Sequence, residues 1–574
     1  MAHGWLSLTG RDLGALTGLS RAADAAPEPI QAEYDCIVIG AGAGGGIVAC
    51  LMAEAGHRTL LVERGSHVAP DPDGGDHLRN QRLSLYGVNA GPSLAENPRV
   101  DATGSAPRTV LATDGAWNNN ASCVGGGTRV YGAQAWRFHP KDFRMASEYG
   151  VPDGSSLADW PITYGDLAPH YERVEWELGV AGDTSSYGYT GSGSRGYPMP
   201  PFPVTGSGVP LARGAASLGW ETLPPPMLMN TIPYGGRNAC IHCRHCVGFP
   251  CPVDAKNGVH STMIPRGLAT GLLQLATGAV VREIVTDGKG EVTGVALLEE
   301  AYTGANLRSV RARTVVVAAG AIETARLLLN SRSSMHPDGL GNASGHVGRN
   351  LQGHYYPSAR GLMEEPCWDG VGPGPCIATC RFNHGNPGVI GGAMLCNDFI
   401  ELPIIFWRNG LPPDVPRWGI ENKRWMRENY RRTLQVTGPV QEIPSPNARV
   451  ELDGSVRDRW GIPVARLSGR THPETVKTAA AIWERCCEWL RASGASRIWG
   501  GPPGLGLSGG QHQAGTCRMG RDPRSSVTDS FGRVHGHQNL FIADASLHVT
   551  NGGFNPVLTV MAMAFRIGGF VAAL

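Results

Sequence analysis

The chain has 574 residues, enough for two or three domains at roughly 100 to 200 residues each. Lysine and arginine total 50 against 49 aspartates and glutamates, a neutral balance that gives no electrostatic reason to bind nucleic acid or an anionic membrane. The 80 glycines and 42 prolines are scattered between apolar runs without a G-X-Y period, which argues against collagen or disorder.

Residues 1–33 read as an N-terminal extension. The stretch up to Tyr34 holds neither a continuous apolar h-region nor a twin-arginine pair, so no secretory signal is expected. Fourteen cysteines without a framework spacing fit a reducing cytoplasm better than a disulfide scaffold. The expected partner is a small molecule.

Chemistry starts at "YDCIVIGAGAGGGIVACLMAEAGHRTLLVERG", 34–65. Cys36 to Ile39 reads as a short buried strand, Ile47 to Ala55 as a helix and Thr59 to Glu63 as a second strand, a β-α-β unit. Gly40, Gly42 and Gly45 satisfy G-x-G-x-x-G at the strand-to-helix turn. The first permits the turn, the second lets the backbone approach a pyrophosphate, and the third packs helix on strand. The helix N-terminus offers N–H groups and a positive dipole end to phosphate, and Glu63 is placed to accept from ribose hydroxyls. This unit predicts a dinucleotide cofactor, without separating NAD from FAD.

Further along, "ACIHCRHCVGFPCPVDAKNG", 239–258, holds Cys240, Cys243, Cys246 and Cys251 followed by Pro252. The spacing is close to bacterial ferredoxin ligation, with four residues in the last gap where that run has three. Buried small side chains, or a local crosslink shaping a loop, are the favoured reading. An iron–sulfur cluster on these four cysteines stays open as the less favoured alternative, with zinc and a redox-active C-x2-C pair behind it. His242, His245 and His260 flank the run and read as surface imidazoles. "KRWMRENYRR", 423–432, mixes basic and aromatic residues and reads as a solvated helix face.

The stretch 313–331, "RTVVVAAGAIETARLLLNS", repeats the plan of buried strand, glycine turn and amphipathic helix, and 539–569 repeats it again. Three such units imply one doubly wound domain assembled from distant segments. The last apolar run, 557–574, is interrupted by Arg566 and glycines and falls short of the roughly 20 clean residues of a spanning helix. A buried terminal helix is expected instead.

These motifs together resemble the glucose–methanol–choline (GMC) oxidoreductase family from about Tyr34 onward. "VGGGTRVYGAQAWRFHPKDF" is similar to the family's first signature and "AAGAIETARLLL" to its second. "GRNLQGH", 348–354, resembles its G-x-N-L-x-D-H stretch, with Gly353 where Asp is usual. "HQAGTCRMG" and "NPVLT" match its C-terminal catalytic segments.

The resemblance implies an α/β flavoprotein. Its Rossmann-like FAD-binding domain is discontinuous, built from 34–139, 226–354 and 501–574. An α+β substrate domain, from 140–225 and 355–500, carries an antiparallel sheet over the flavin. The implied chemistry is oxidation of an alcohol CH–OH group by proton abstraction and hydride transfer to flavin N5. By the same resemblance His512 is the active-site histidine and Asn555 its partner.

Residue chemistry agrees with that assignment. Imidazole has the pKa to take a hydroxyl proton at neutral pH, and an amide can donate to the developing alkoxide without competing for the proton. Gly126, Gly127 and Thr128 are carried over along the flavin, Val281 on the adenine side, and Asp544 with Ala545 near the ribityl and pyrophosphate. Asn555, Pro556 and Thr559 complete the cofactor contacts. Val130 stands near the place where some members carry a flavin-linked histidine, so FAD is expected to be noncovalent.

The implied substrate is a sugar, a polyol or an amino sugar, including the primary alcohol of an aminoglycoside or other natural product. The electron acceptor is left as O2 or a redox partner. Two alternatives stay open within the family, an O2-using alcohol oxidase and an FAD-containing lyase with no net redox chemistry. An NAD-dependent dehydrogenase would account for the N-terminal fingerprint and leave the His512 and Asn555 segments unexplained.

Overall fold

The computed structural model describes residues 29–67, 97–118, 120–183, 195–299, 307–397, 401–502, 504, 506–507 and 511–574. Most of the expected N-terminal extension therefore lies outside the described residues.

The first unit is β1 (Glu33–Ile39), α1 (Ala43–Glu54) and β2 (Thr59–Glu63), with β1 and β2 parallel and Val38 beside Leu61. The helix starts before the expected Ile47, at Ala43, because the glycine run is itself helical. A Cβ on Gly44 would lie 1.7 Å from the carbonyl oxygen of Ala543, and one on Gly45 1.9 Å from that of Gly40. Close approach to backbone on both sides outweighs the poor helix propensity of glycine.

Next come β3 (Arg99–Ala102) and β4 (Arg108–Val110), then α2 (Tyr164–Val174). Thr163 and Asp166 form a capping box at the start of α2, and α3 (Gly208–Ser217) follows. The strands β5 (Leu273–Thr277), β6 (Ala279–Thr286), β7 (Val292–Glu299) and β8 (Arg308–Val317) lead into α4 (Ala321–Asn330). After β9 (Ser358–Leu362), β10 (Ala378–Thr379) and β11 (Leu395–Asn397) comes α5 (Gly419–Asn429). The chain ends with β12 (Thr433–Thr437), β13 (Arg449–Arg457), β14 (Pro463–Ser468), α6 (Pro473–Ala492), β15 (Arg497–Gly501), β16 (Leu540–Ile542) and α7 (Val557–Val571).

Seven strands form the main sheet in the order β5-β2-β1-β8-β7-β6, with β16 also on β8. The run β5-β2-β1-β8-β16 is parallel, whereas β6 and β7 are antiparallel additions. The three strand-turn-helix units read from sequence thus supply β1, β8 and β16. A five-stranded antiparallel sheet, β10-β11-β12-β9-β15, packs one face on α6 and α3 through Ala359, Leu434, Val436 and Leu490. A four-stranded sheet, β13-β14-β3-β4, joins strands from opposite halves of the chain, with Leu467 of β14 beside Asp101 of β3.

The segment 140–225 divides between these layers. Helix α2 packs on α7, where Tyr171 meets Thr559, while α3 packs on α6. The terminal helix α7 is buried against α1. Among the described residues no helix is long and apolar enough to cross a membrane. The basic stretch falls on α5, where Trp425 stacks on Phe406 at 5.9 Å while Lys423, Arg424 and Arg427 are exposed.

Candidate active site

Three turns converge on one cavity of about 250 Å³: Gly40 to Gly44 after β1, Ala318 to Gly320 after β8, and Asp544 with Ala545 after β16. Strand β1 lies between β2 and β8. The cavity therefore sits at the carboxyl ends of the parallel strands, where the strand order reverses and doubly wound folds bind ligands.

Of the residues singled out from sequence, Gly40, Gly42, Glu63, Gly126, Gly127, Val281, Asp544 and Ala545 line this cavity. Five others, Gly45, Thr128, Asn555, Pro556 and Thr559, lie off its wall. Gly45 faces the carbonyl of Gly40, and Thr128 donates its hydroxyl to Gly125 O at 2.6 Å. Thr559 is buried with its hydroxyl on that of Tyr171 at 2.7 Å. Pro556 is the N-cap residue of α7.

The cavity fits the pyrophosphate of a dinucleotide. A Cβ on Gly42 or on Gly127 would meet no atom within 4 Å, so both backbones open onto free space. Gly42 caps α1 without a side chain, and the first turn carries no acidic residue, which leaves the helix N-terminus available to an anion. Glu63 accepts from the N–H of Ala41 at 3.0 Å and of Gly65 at 2.8 Å. Burial raises its pKa and those N–H groups oppose the rise. Each of its oxygens keeps a second lone pair for a ribose hydroxyl. Asp544 ties two turns together, accepting from the N–H of Gly320 at 2.9 Å and from Ser546 N at 2.8 Å.

A second cluster gathers His512, His354, Tyr356, Asn551 and Asn555. The Nδ1 atom of His512 lies 2.9 Å from Nδ1 of His354 and 3.2 Å from the hydroxyl of Tyr356. Asn555 Nδ2 lies 3.3 Å from that same hydroxyl. The structure thus brings the two residues matched to the family's catalytic pair to either side of one tyrosine. Asn555 Oδ1 is buried with no hydrogen-bond partner, an acceptor that a ligand donor would satisfy. His512 has a φ of 61°, rare for a residue with a side chain and frequent at functional sites.

Sequence reasoning passed over His354, Tyr356 and Asn551. His354 ends the quoted "GRNLQGH" stretch without a role assigned to it, and the other two stand outside any spacing pattern. Gly353, where the family has Asp, donates its N–H to Glu442 at 2.6 Å. A carboxylate from another segment therefore reaches that loop.

The cysteine-rich run is pinned from beneath. Lys256, 1% exposed, donates through Nζ to the carbonyl oxygens of Tyr131 (3.0 Å), Cys246 (2.6 Å) and Phe249 (2.8 Å). Cys246 is buried and Cys240, Cys243 and Cys251 are half-buried, all as free thiols. Among the described residues no three His, Cys, Asp or Glu side chains are grouped to hold a metal ion. One expectation is corrected: His260 is no surface imidazole. It is buried against Gly125, where a Cβ would lie 2.8 Å from its Nδ1, because the "VGGGT" turn folds back over it.

Fold and cavity are those of a doubly wound, dinucleotide-binding protein. Profiles of the GMC oxidoreductase family match residues 210–356 and 444–564. The chain is 31% identical to paromamine 6'-oxidase of Streptomyces fradiae over 94% of this chain and 91% of that protein. It is 32% identical to 6'''-hydroxyparomomycin C oxidase of Streptomyces lividus, over 95% and 93% respectively. The crystal structure of pyridoxine 4-oxidase from Mesorbium loti superposes with a TM-score of 0.61 at 17% identity, over 94% of this chain and 99% of that one. The chain belongs to the GMC oxidoreductase family. It is an FAD-dependent enzyme that oxidises CH–OH groups.

Proposed function

We propose that the enzyme oxidises a hydroxyl of an amino sugar or related polyol, with the primary alcohol of an aminoglycoside-type compound as the leading candidate. The observation that carries this reading is the full-length similarity to two oxidases named for paromamine and hydroxyparomomycin. A feature of the chain supports it independently. Residues 355–362 run extended against β12, so side chains alternate between the two faces. Tyr355 and Ala359 face α6, and Tyr356, Ser358 and Arg360 take the opposite face. There Ser358 meets Gln435 at 2.6 Å and Arg360 pairs with Glu401 at 2.7 Å. This polar strand face, continuous along one face with Tyr356, is in keeping with a polyhydroxylated substrate.

In this reading His512 takes the hydroxyl proton, and Asn555 with the Tyr356 hydroxyl orients the substrate oxygen and supports its developing charge. FAD, when bound, supplies the hydride acceptor. Gly42 and Gly127, whose Cβ positions open onto free space, give the backbone room to approach it, and Glu63 and Asp544 offer carboxylates to its hydroxyls. Work in a reducing cytoplasm is supported by the fourteen cysteines, all of them free thiols.

The test is an anaerobic absorption spectrum of the purified holoenzyme during addition of sugars, polyols and amino-sugar alcohols. Bleaching of the flavin bands by an amino-sugar alcohol is the expected result, and admitting air then separates an oxidase from a dehydrogenase by the rate of reoxidation. Bleaching by simple apolar alcohols alone would remove the amino-sugar reading.

A further inference from the structure

The Nε2 atom of His354 lies 3.0 Å from the carbonyl oxygen of Asn551 and 2.8 Å from that of Gly552. Carbonyl oxygens only accept, so Nε2 must carry the hydrogen. The ring is buried. Burial pushes its pKa down to about 4, against the pull of those two carbonyls, so it is neutral at neutral pH. A neutral ring protonated on Nε2 presents a lone pair on Nδ1. That lone pair faces Nδ1 of His512 at 2.9 Å, with the rings nearly perpendicular at 84°.

We infer that His354 is a positioning residue that fixes the tautomer of His512: it accepts a hydrogen bond from Nδ1–H of His512 and so makes Nε2 the basic nitrogen. The Tyr356 hydroxyl, 3.2 Å from the same Nδ1, is a second acceptor for that hydrogen. Two consequences follow from the chemistry. The acceptor stabilises the cation that His512 becomes on taking a proton, so the base is strengthened. The far N–H of His354 ends on carbonyls, so His354 does not relay a proton further inward. Among the described contacts, titratable groups facing the pair include Tyr356, His548 and Asp142. The last two act on His354 through space, and burial holds His548 down to about 4 and thus neutral.

This inference rests on His512 being the base of the proposed reaction, and its test has a readout that needs no substrate. Holoenzyme labelled with 15N-histidine gives imidazole nitrogen shifts that distinguish the tautomers, with His512 identified by its loss in His512→Ala. Wild type and His354→Gln should show His512 protonated on Nδ1, since a glutamine amide can donate to the two carbonyls while its oxygen accepts from His512. His354→Phe should populate the Nε2–H form.

In rapid mixing with a substrate that bleaches the flavin, His354→Phe should slow reduction by about tenfold or more and move the acidic limb of the pH profile to lower pH. His354→Gln should recover most of the rate. An Nε2–H tautomer in wild type, an unchanged tautomer in His354→Phe, or a glutamine variant as slow as the phenylalanine one would overturn the inference. If His354→Phe fails to fold, the wild-type tautomer and the glutamine rate still decide it. If no alcohol bleaches the flavin, the proposed function fails while the tautomer measurement stands.

Discussion

The side chain of Asn551 holds the backbone of His512: its Nδ2 lies 2.7 Å from the His512 carbonyl oxygen. The same amide donates to Gly353 O at 3.2 Å and accepts from Nδ1 of His548 at 2.9 Å. It spans the loops that carry both histidines of the cluster. A residue with a side chain at a φ of 61° persists where its surroundings hold it, and the Asn551 hydrogen bond is one of the contacts that hold it here.

Asn551→Ala should therefore release the His512 loop and leave the dinucleotide cavity intact. Flavin content should stay normal, flavin reduction should slow by about tenfold, and stability should fall by roughly 1–3 kcal/mol from the buried groups left unpaired. Absorbance at the flavin bands, rapid-mixing kinetics and thermal unfolding measure the three separately. Loss of flavin with an unchanged reduction rate per bound flavin would place Asn551 in cofactor binding instead.

Two glycines of one fingerprint should fail in different ways. Gly42 opens onto the cavity, so Gly42→Val fits the protein and intrudes where the pyrophosphate would lie. The variant should be folded and colourless. A side chain at Gly45 would drive into the carbonyl of Gly40 at 1.9 Å, so Gly45→Val should separate α1 from β1 and lose several kcal/mol of stability. Circular dichroism beside the flavin-to-protein absorbance ratio distinguishes the two, and a yellow Gly42→Val protein would refute the placement of the pyrophosphate.

Glu323, at the cavity edge, receives three arginines: Arg99 at 2.7 Å, Arg326 at 3.1 Å and Arg64 at 3.5 Å. Burial raises its pKa, and Arg64, Arg326 and Arg99 together outweigh burial and hold it well below the usual carboxylate range. A depressed folded-state pKa gives stability that is complete above the unfolded value, about 4.5, and is lost as pH falls through the folded one. Glu323→Gln leaves Arg99, with no side-chain exposure, as an uncompensated buried charge. It should cost about 3–5 kcal/mol at neutral pH. Chemical denaturation at pH 7 and near pH 3 should show the difference between wild type and variant shrinking at the lower pH.

The β-α-β unit was legible in the sequence because period, glycines and terminal acid all specify one local geometry, and Gly40, Gly42 and Glu63 line the cavity with Gly126, Gly127, Val281, Asp544 and Ala545 from later segments. The active-site neighbours of His512 were not. His354 and Tyr356 reach it from a distant part of the chain, Asn551 acts on a carbonyl oxygen that every residue possesses, and no spacing rule encodes such contacts. The start of α1 was misplaced for a related reason. Its glycines serve packing against Ala543 and Gly40, a tertiary demand that overrides helix propensity. His260 was misread as exposed because its cover, the Gly125 turn, belongs to a far earlier segment of the chain.

The cysteine-rich run offers the last prediction. Lys256 fills three carbonyl acceptors beneath it, two of them within the run, at Cys246 and Phe249. Lys256→Met keeps the volume of the side chain and removes every donor, so three buried carbonyls lose their partner and the loop should loosen at a cost of at least about 2 kcal/mol. Cys246, 8% exposed, should then react with a thiol reagent far faster than in wild type, while Cys240, Cys243 and Cys251, already half-buried, change little. Peptide mapping after timed labelling measures this site by site. If flavin reduction survives while Cys246 becomes reactive, the run shapes a loop beside the chemistry; if reduction is lost with flavin still bound, the loop is a working wall of the active site.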